Sequence, residues 1–472
     1  MKLVYKPQDR PSIGQTIVFA IQQLLAIMAA TLVVPIIVGN GMSPAAALFG
    51  AGVGTIVYQL FTKFRSPVFL GSSFAFLGSM AAAFAGGVSV ALGYLGLIIG
   101  AIFAGLVYVI ISFIVKKFGV AWINKLMPPE VIGPTVAIIG LSLAGNAISD
   151  LQKGDVTVPV VTDTIINGVP SLNPSTTYAS VAHPLIAILC GLITLAVVVI
   201  CSTYGKKMVK LIPFIIGIGA GYVVALIFTT IGVLADVEAL QLVDFNYFKA
   251  LVDGGVSVET FLKVPDFTFI KAFGAFDELS LSYVGTIAVA YAPVAFVVFA
   301  EHIADHKNLS SIIDEDLLEN PGLSRTLLGD GVGSMAGAFF GGCPNTTYGE
   351  SVACVAITGN ASTISISFAA IGALLISFLS PFVALVDGIP ACVMGGVCIA
   401  LYGFIAVSGL KMIQKVDLGK NKNLFTVSTI LVCGIGGLAL NFGKITITAI
   451  ATALILGILV NILLSRAPET KE

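Results

Sequence analysis

Apolar residues in this chain run in continuous blocks of about 20, the length that carries a helix across a bilayer's hydrocarbon. Short clusters of Gly, Pro, Ser and charge break the blocks apart. Neither the two-residue alternation of a half-buried strand nor the one-sided stripe of a surface helix describes them. A window of about 19 residues predicts twelve clear spans, near 13–38, 44–62, 89–117, 128–148, 184–203, 210–235, 283–308, 323–340, 362–386, 390–410, 424–441 and 443–464. Two further stretches, 67–86 and 343–360, are apolar on average but open with Ser, Thr, Pro and Gly, which favour turns or extended backbone over a helix start. They read as broken spans, which makes fourteen.

Composition agrees: 57% of the 472 residues are apolar and 10% charged, against roughly 45–50% and about 25% in soluble domains. A water-soluble globule is excluded, and the chain reads as an all-α polytopic membrane protein in a lipid bilayer. A net charge of −1 leaves no basic surface for nucleic acid. The seven cysteines are odd in number, lie in or beside apolar segments and show no CxxC spacing, so they read as small packing residues. With three scattered histidines no metal cluster is expected, and no cofactor. The first apolar run, from about Ile17 to Val38, is too long for a signal-peptide core and should remain as the first span.

Fourteen spans put both termini on one side. If that side is the cytoplasm of a cell membrane, only Lys153, Lys249, Lys263, Lys271 and Lys444 of the 24 Lys and Arg fall outside, as the positive-inside rule asks. The long loops near 149–182 and 237–279 are then external. Seven spans per half would give two halves of opposite orientation, and two correspondences fit that arrangement. Ser72-Ser73-Phe74-Ala75-Phe76 matches Thr346-Thr347-Tyr348-Gly349-Glu350 in its hydroxyl, hydroxyl, aromatic order, and Pro129 to Gly133 opens the fifth span as Pro390 to Gly395 opens the twelfth. Paired interrupted spans in corresponding positions of two halves point to a transporter's binding site.

Few acids lie within or beside spans: Glu130, Glu301, Asp305, Asp330, Glu350 and Asp387. A charge at the bilayer centre costs roughly 2.5–3.5 kcal/mol on insertion scales, so such groups need compensation, of which a bound proton is one form. Glu301 and Asp305 are one helical turn apart and share a face. They serve either as a functional pair or as a solvated pair at the cytoplasmic mouth near Lys307. His302 and His306 point elsewhere on that helix and are expected at an interface. Glu350 lies between the strand-like Asn345-Thr346-Thr347-Tyr348 and a short apolar run. It would stand at a half-helix N-terminus, where free N–H donors gather, as a cap or as a ligand contact. Tyr348 and Phe74 could offer flat apolar faces to a planar ring. Glu130 reads as a helix cap, Asp330 as opening or lining the ninth span, and Asp387 as part of an external turn.

The run from Ala300-Glu301-His302 through Asp316-Leu317-Leu318, Pro321-Gly322-Leu323 and Phe340-Gly341 to Pro344-Asn345-Thr346-Thr347-Tyr348-Gly349-Glu350 resembles the nucleobase/ascorbate transporters (nucleobase:cation symporter-2), in particular their bacterial uracil:proton symporters. The likeness extends from Gln15-Thr16 and Ala30-Thr31 through Leu70 to Phe76 and on to Leu401-Tyr402-Gly403. It implies fourteen spans in two inverted seven-span repeats, with short antiparallel strands in the broken spans 3 and 10. A core domain (1–118 and 280–388) would bind substrate, a gate domain (119–236 and 389–466) would complete the fold, and 237–279 would be an external loop.

By the same resemblance Glu301 and Glu350 would hydrogen-bond the base and backbone at Phe74, beside Ser73, and at Gly349 would complete its polar edge. Ala30, Tyr348 and Tyr402 would line the pocket. Apart from the resemblance, Glu301 is expected to couple a proton to transport, with Asp305 one turn away tuning it. The implied activity is proton-driven uptake of a nucleobase, foremost uracil, by a transporter and not an enzyme; a homodimer is compatible with it. Departures exist. In the family's signature Glu350, Thr358 and Gly359 fit, while Ser351 replaces Asn and Ala353 replaces Gly. Asp305 stands where uracil symporters often carry His, and Asp330 resembles an acid of purine-transporting members. Xanthine, urate or another purine base is therefore the alternative, and an anion exchanger of the same fold a more distant one, disfavoured by Glu350 at a half-helix end.

Overall fold

The computed structural model describes residues 3–119, 121–162, 165–166, 169–170, 175–206, 208–442 and 445–465. Helices dominate: α1 (Ile13–Val38), α2 (Pro44–Phe61), α3 (Leu77–Ala83), α4 (Val90–Phe118), α5 (Pro129–Ser142), α6 (Pro184–Tyr204), α7 (Pro213–Ala235), α8 (Leu281–Ile313), α9 (Leu323–Gly341), α10 (Gly349–Thr358), α11 (Thr363–Ile376), α12 (Ala391–Ile413), α13 (Asn421–Ile435) and α14 (Ala449–Leu464). Among the described residues eight helices are long and apolar enough to cross a membrane: α1, α2, α4, Pro129–Leu151, α6, α7, α8 and α12. Several starts are written into the sequence. Ser43, Ser89, Ser280 and Thr448 each accept a backbone N–H from the first turn of the helix that follows, and Pro44 occupies a first-turn position whose N–H would have no partner.

Three boundaries differ from the hydropathy reading. The last helix begins at Ala449, because the preceding Ile445–Ile447 pairs antiparallel with Leu440–Phe442. Ile-Thr-Ile is β-branched throughout, which suits a strand better than a helix. The thirteenth helix ends at Ile435, just before Gly436 and Gly437. The eleventh segment stops at Ile376, and a separate helix, Ser380–Asp387, holds Asp387 at its end.

The chain forms two compact units: 1–143, 262–379 and 401–472 make the larger, and 144–261 with 380–400 the smaller. In the larger unit, small residues four apart let helices approach closely. Gly50 and Gly54 of α2 face Gly333, Gly337 and Gly341 of α9: a Cβ on Gly54 would stand 2.8 Å from Gly333 O, and one on Gly341 2.6 Å from Ala46 O. Lipid offers helices no hydrophobic reason to associate, so close packing of this kind holds them together. Near the start of α5, Glu130 lies 3.7 Å from Lys422 Nζ, an ion pair rather than a lone cap.

In the smaller unit α6 and α7 bury Gly191, Thr194, Gly217, Gly221 and Ala225, while Leu192, Val199, Ile200, Val223 and Ile227 are exposed. Large apolar side chains outside and small ones inside is the pattern of a helix pair in lipid. Thr229 Oγ1 accepts from Leu242 N at 3.0 Å and Val243 N at 3.1 Å, fastening the following loop to α7. The segment after Leu151 does the same for α12. Lys153 O accepts from Cys392 N, and Asp155 Oδ1 accepts from Ala391 N, both at 2.9 Å, so two first-turn N–H groups find partners.

Burial pushes the Asp155 carboxyl up to about 7; the Ala391 N–H opposes that rise, and Asp244 and Asp150 add to it. The folded value lies above the unfolded one, so between about pH 4 and 7 the folded state binds more protons and stability falls as pH rises. Asp155→Asn keeps the acceptor without the charge. Its melting temperature in detergent should therefore change less between pH 5 and 8 than the parent's, by a few degrees. Parallel profiles for the two proteins would refute this account.

Candidate substrate site

The site is built on strands β1 (Leu70–Ser72) and β2 (Asn345–Thr347), which pair antiparallel with Leu70 opposite Thr347, Gly71 opposite Thr346 and Ser72 opposite Asn345. Two broken segments 273 positions apart thus complete one another's backbone hydrogen bonding. Side chains satisfy much of what the short ladder leaves over. Thr55 Oγ1 accepts from Leu70 N at 2.9 Å, Ser351 Oγ accepts from Phe69 N at 3.0 Å, and Gln23 Nε2 donates to the same Ser351 hydroxyl. The serine that departs from the family signature therefore ties α1 and the approach to β1 onto α10. At Gly71 any side chain would collide with the Tyr348 ring, whose OH donates to Ser72 O at 2.7 Å.

Each strand runs directly into a short helix. Phe74–Phe76 forms a 3-10 turn leading into α3, and Tyr348 precedes α10. Where these helix starts meet α8, they line a narrow cavity of about 30 Å³. Phe74, Glu301, Tyr348, Gly349 and Glu350, five of the expected residues, line it. Glu350 occupies the first turn of α10, where the helix dipole and unpaired N–H groups concentrate partial positive charge. Glu301 reaches the same space from α8, so two carboxyl groups and two helix starts converge.

The other expected residues are not among those lining the cavity. Ala30 is buried within α1. Ser73 is buried and its N–H donates to Pro344 O at 2.9 Å. Tyr402 backs the wall, its ring 5.8 Å from that of Phe74 and nearly perpendicular to it. Asp305 sits behind the strand-to-helix junction, accepting from Thr347 Oγ1 at 2.7 Å. It lies only 3.9 Å from where a Cβ on Gly349 would be. Four lining residues went unpredicted: Ala75, Ile139, Thr346 and Ile405. Strand alternation carried a signal for Thr346, since it shares the face of Tyr348. Ile139 and Ile405 carried none, as their helices reach the site only through folding.

The interfacial placement expected of the two histidines is corrected: both are fully buried. His302 Nδ1 lies 2.7 Å from Asp330 Oδ2 and its Nε2 3.0 Å from Thr326 Oγ1. His306 stacks on it with ring centroids 4.0 Å apart, its Nε2 2.7 Å from Tyr58 OH. Hydropathy averages along α8 cannot reveal polar side chains whose partners come from α2 and α9. Asp330→Ala would leave His302 Nδ1 without its partner and should cost about 1–3 kcal/mol, measured as a lower melting temperature than that of Asp330→Asn, which keeps an acceptor. Equal melting of the parent and both variants would contradict the pairing.

Comparison with solved structures places the fold. The transmembrane domain of the cyanobacterial bicarbonate transporter BicA superposes with a TM-score of 0.60 at 15% identity, covering 98% of this chain and 100% of that one. The murine Slc26a9 anion transporter in its inward-facing state gives 0.60 at 9% identity, over 97% of this chain and 69% of that one. At such identities the likeness speaks for the fold alone.

Sequence similarity is more specific. The pattern of the Permease family matches residues 14–443. The uracil permease of Bacillus caldolyticus is 37% identical over 475 residues, 100% of this chain and 97% of that protein. That of Bacillus subtilis is 36% identical over 467 residues, 98% and 95% of the two chains. That of Escherichia coli (strain K12) is 33% identical over 452 residues, 95% and 91%. The chain belongs to this permease family, the nucleobase:cation symporter-2 or nucleobase/ascorbate transporters, and is a multi-pass membrane transporter, not an enzyme.

Proposed function

We propose that this protein takes up uracil across the cytoplasmic membrane together with a proton. The observation that carries the reading is the convergence of Glu301, Glu350 and two helix starts on one cavity walled by Phe74 and Tyr348. Uracil is a planar ring with N–H donors and carbonyl acceptors, which carboxyl groups and free backbone N–H groups complement. The uracil permeases that align over nearly the whole chain favour the same substrate. An anion would meet Glu350 at the helix start that should attract it, so the likeness to bicarbonate- and anion-transporter folds does not extend to ligand chemistry. A purine base is the other outcome that a competition assay distinguishes.

Fourteen spans form two inverted repeats, eight of them the long helices and the others shorter ones such as α3, α10, α11 and α14. Residues 1–118 and 280–388 act as the substrate-binding core and 119–236 with 389–466 as the gate, both termini face the cytoplasm, and two copies can pair. Glu301 is the coupling group, because a carboxylic acid donates to a base carbonyl only while protonated. Proton and base then strengthen one another's binding, as linkage requires. One proton moving with a neutral base carries one charge, so each 100 mV contributes about 2.3 kcal/mol to uptake.

Glu350→Ala should weaken equilibrium binding of uracil in detergent by about 5- to 150-fold, the loss of a buried partner worth about 1–3 kcal/mol. Unchanged affinity would sink its assignment. Glu301→Gln, a fixed mimic of the protonated acid, should still bind uracil in proteoliposomes yet fail to accumulate it against a gradient under an imposed pH difference. Accumulation by that variant would remove Glu301 from coupling. Competition by thymine, xanthine and urate in the same assay sorts pyrimidine from purine transport.

A further inference from the structure

One side chain lining the cavity has a hydrogen-bonding group that no described residue uses. Thr346 is the middle residue of β2, opposite Gly71, and is 2% exposed. Its Oγ1 is buried and has no hydrogen-bond partner among the described residues. Its strand neighbours are engaged on the opposite face: Asn345 Nδ2 donates to Gly50 O at 3.1 Å and Thr347 Oγ1 to Asp305 Oδ2 at 2.7 Å. Because successive strand residues face opposite ways, Thr346 is turned to the cavity that its neighbours are turned from.

The other polar side chains of that wall cannot do what Thr346 can. Tyr348 spends its only O–H on Ser72 O. Glu301 and Glu350 accept when ionised and donate only when protonated. The Thr346 hydroxyl is a donor in every protonation state of those acids. A threonine kept only for its fit to a strand would gain from becoming valine, which has nearly the same shape and leaves no buried hydroxyl unpaired. Buried polar atoms in folded proteins nearly always find partners, so an orphan on the wall of a ligand cavity marks a place that the ligand completes.

We infer that Thr346 is a specificity-determining contact, its Oγ–H donating to a ring carbonyl oxygen of the transported base. The inference rests on the reading of the cavity as a nucleobase site. It assigns the carbonyl edge of the ring a donor that works before any proton reaches Glu301, so substrate can be held on the unprotonated site and the proton added afterwards.

The test is equilibrium binding to purified full-length protein in detergent, using uracil and two analogues, 2-thiouracil and 4-thiouracil, each of which replaces one carbonyl oxygen by the weaker acceptor sulfur. Thr346→Val should weaken uracil about tenfold, and Thr346→Ser, which keeps the hydroxyl, should stay within about threefold of the parent. The parent should disfavour the analogue altered at the contacted oxygen, and Thr346→Val should lose that preference while keeping the other, as a double-mutant cycle requires of two groups in contact. Parental affinity in Thr346→Val, or equal weakening of all three ligands, would overturn the inference and leave the uptake reading standing. Failure of the parent protein itself to bind uracil would instead overturn the substrate reading, and this contact with it.

Discussion

Inside hydrocarbon no water is at hand to satisfy a backbone N–H or C=O, and everything particular to this protein follows from how it meets that constraint where two helices break. Extended backbone at Leu70–Ser72 and at Asn345–Thr347 would be prohibitive if each stretch stood alone. Paired with one another, and closed off by Thr55, Ser351 and the Pro344 carbonyl, they leave few groups unmet. The pairing also decides where the chain resumes as helix. Both α10 and the turn into α3 start at the same place, so their unpaired N–H groups open onto one cavity.

Packing around this junction relies on what is missing from side chains. Gly71 leaves room for the Tyr348 ring, and the glycine rows of α2 and α9 bring Asn345 close enough to reach Gly50 O. A methyl group at either place would meet backbone or an aromatic ring, so the strand pair and the close helix packing depend on each other. Outward-facing Leu, Ile and Val of α6 and α7 show the complementary side of the same physics, because lipid accepts them at no cost.

The buried acids behind the site stand where another element meets them. Asp330 and His302 are partners across α9 and α8, and Asp305 supports Thr347 behind the site. Each of these acids is engaged by the protein, whereas Glu301 and Glu350 face the cavity. That division separates the acids that hold the site from those that can meet a ligand.

Hydropathy and length alone determined that the chain is a multi-pass membrane protein, because burying or exposing blocks of about 20 apolar residues in water has no stable solution. Local chemistry also made the two broken spans legible: Ser, Thr, Gly and Pro at Leu70–Phe76 and at Pro344–Gly349 disfavour a continuous helix wherever they occur. Glu301, Glu350, Phe74, Tyr348 and Gly349 could be named as candidate site residues because charge and interrupted helix are rare in such a chain, and the family resemblance fixed which of them to choose. Tertiary structure decided the rest. Whether a buried acid is a ligand or a strut depends on what another helix presents to it, which is why Asp305 turned to Thr347 and the histidines turned inward to Asp330 and Tyr58. Ile139 and Ile405 joined the cavity wall through contacts between segments far apart in the chain. Such contacts carry no local periodicity, so only the folded arrangement could place them.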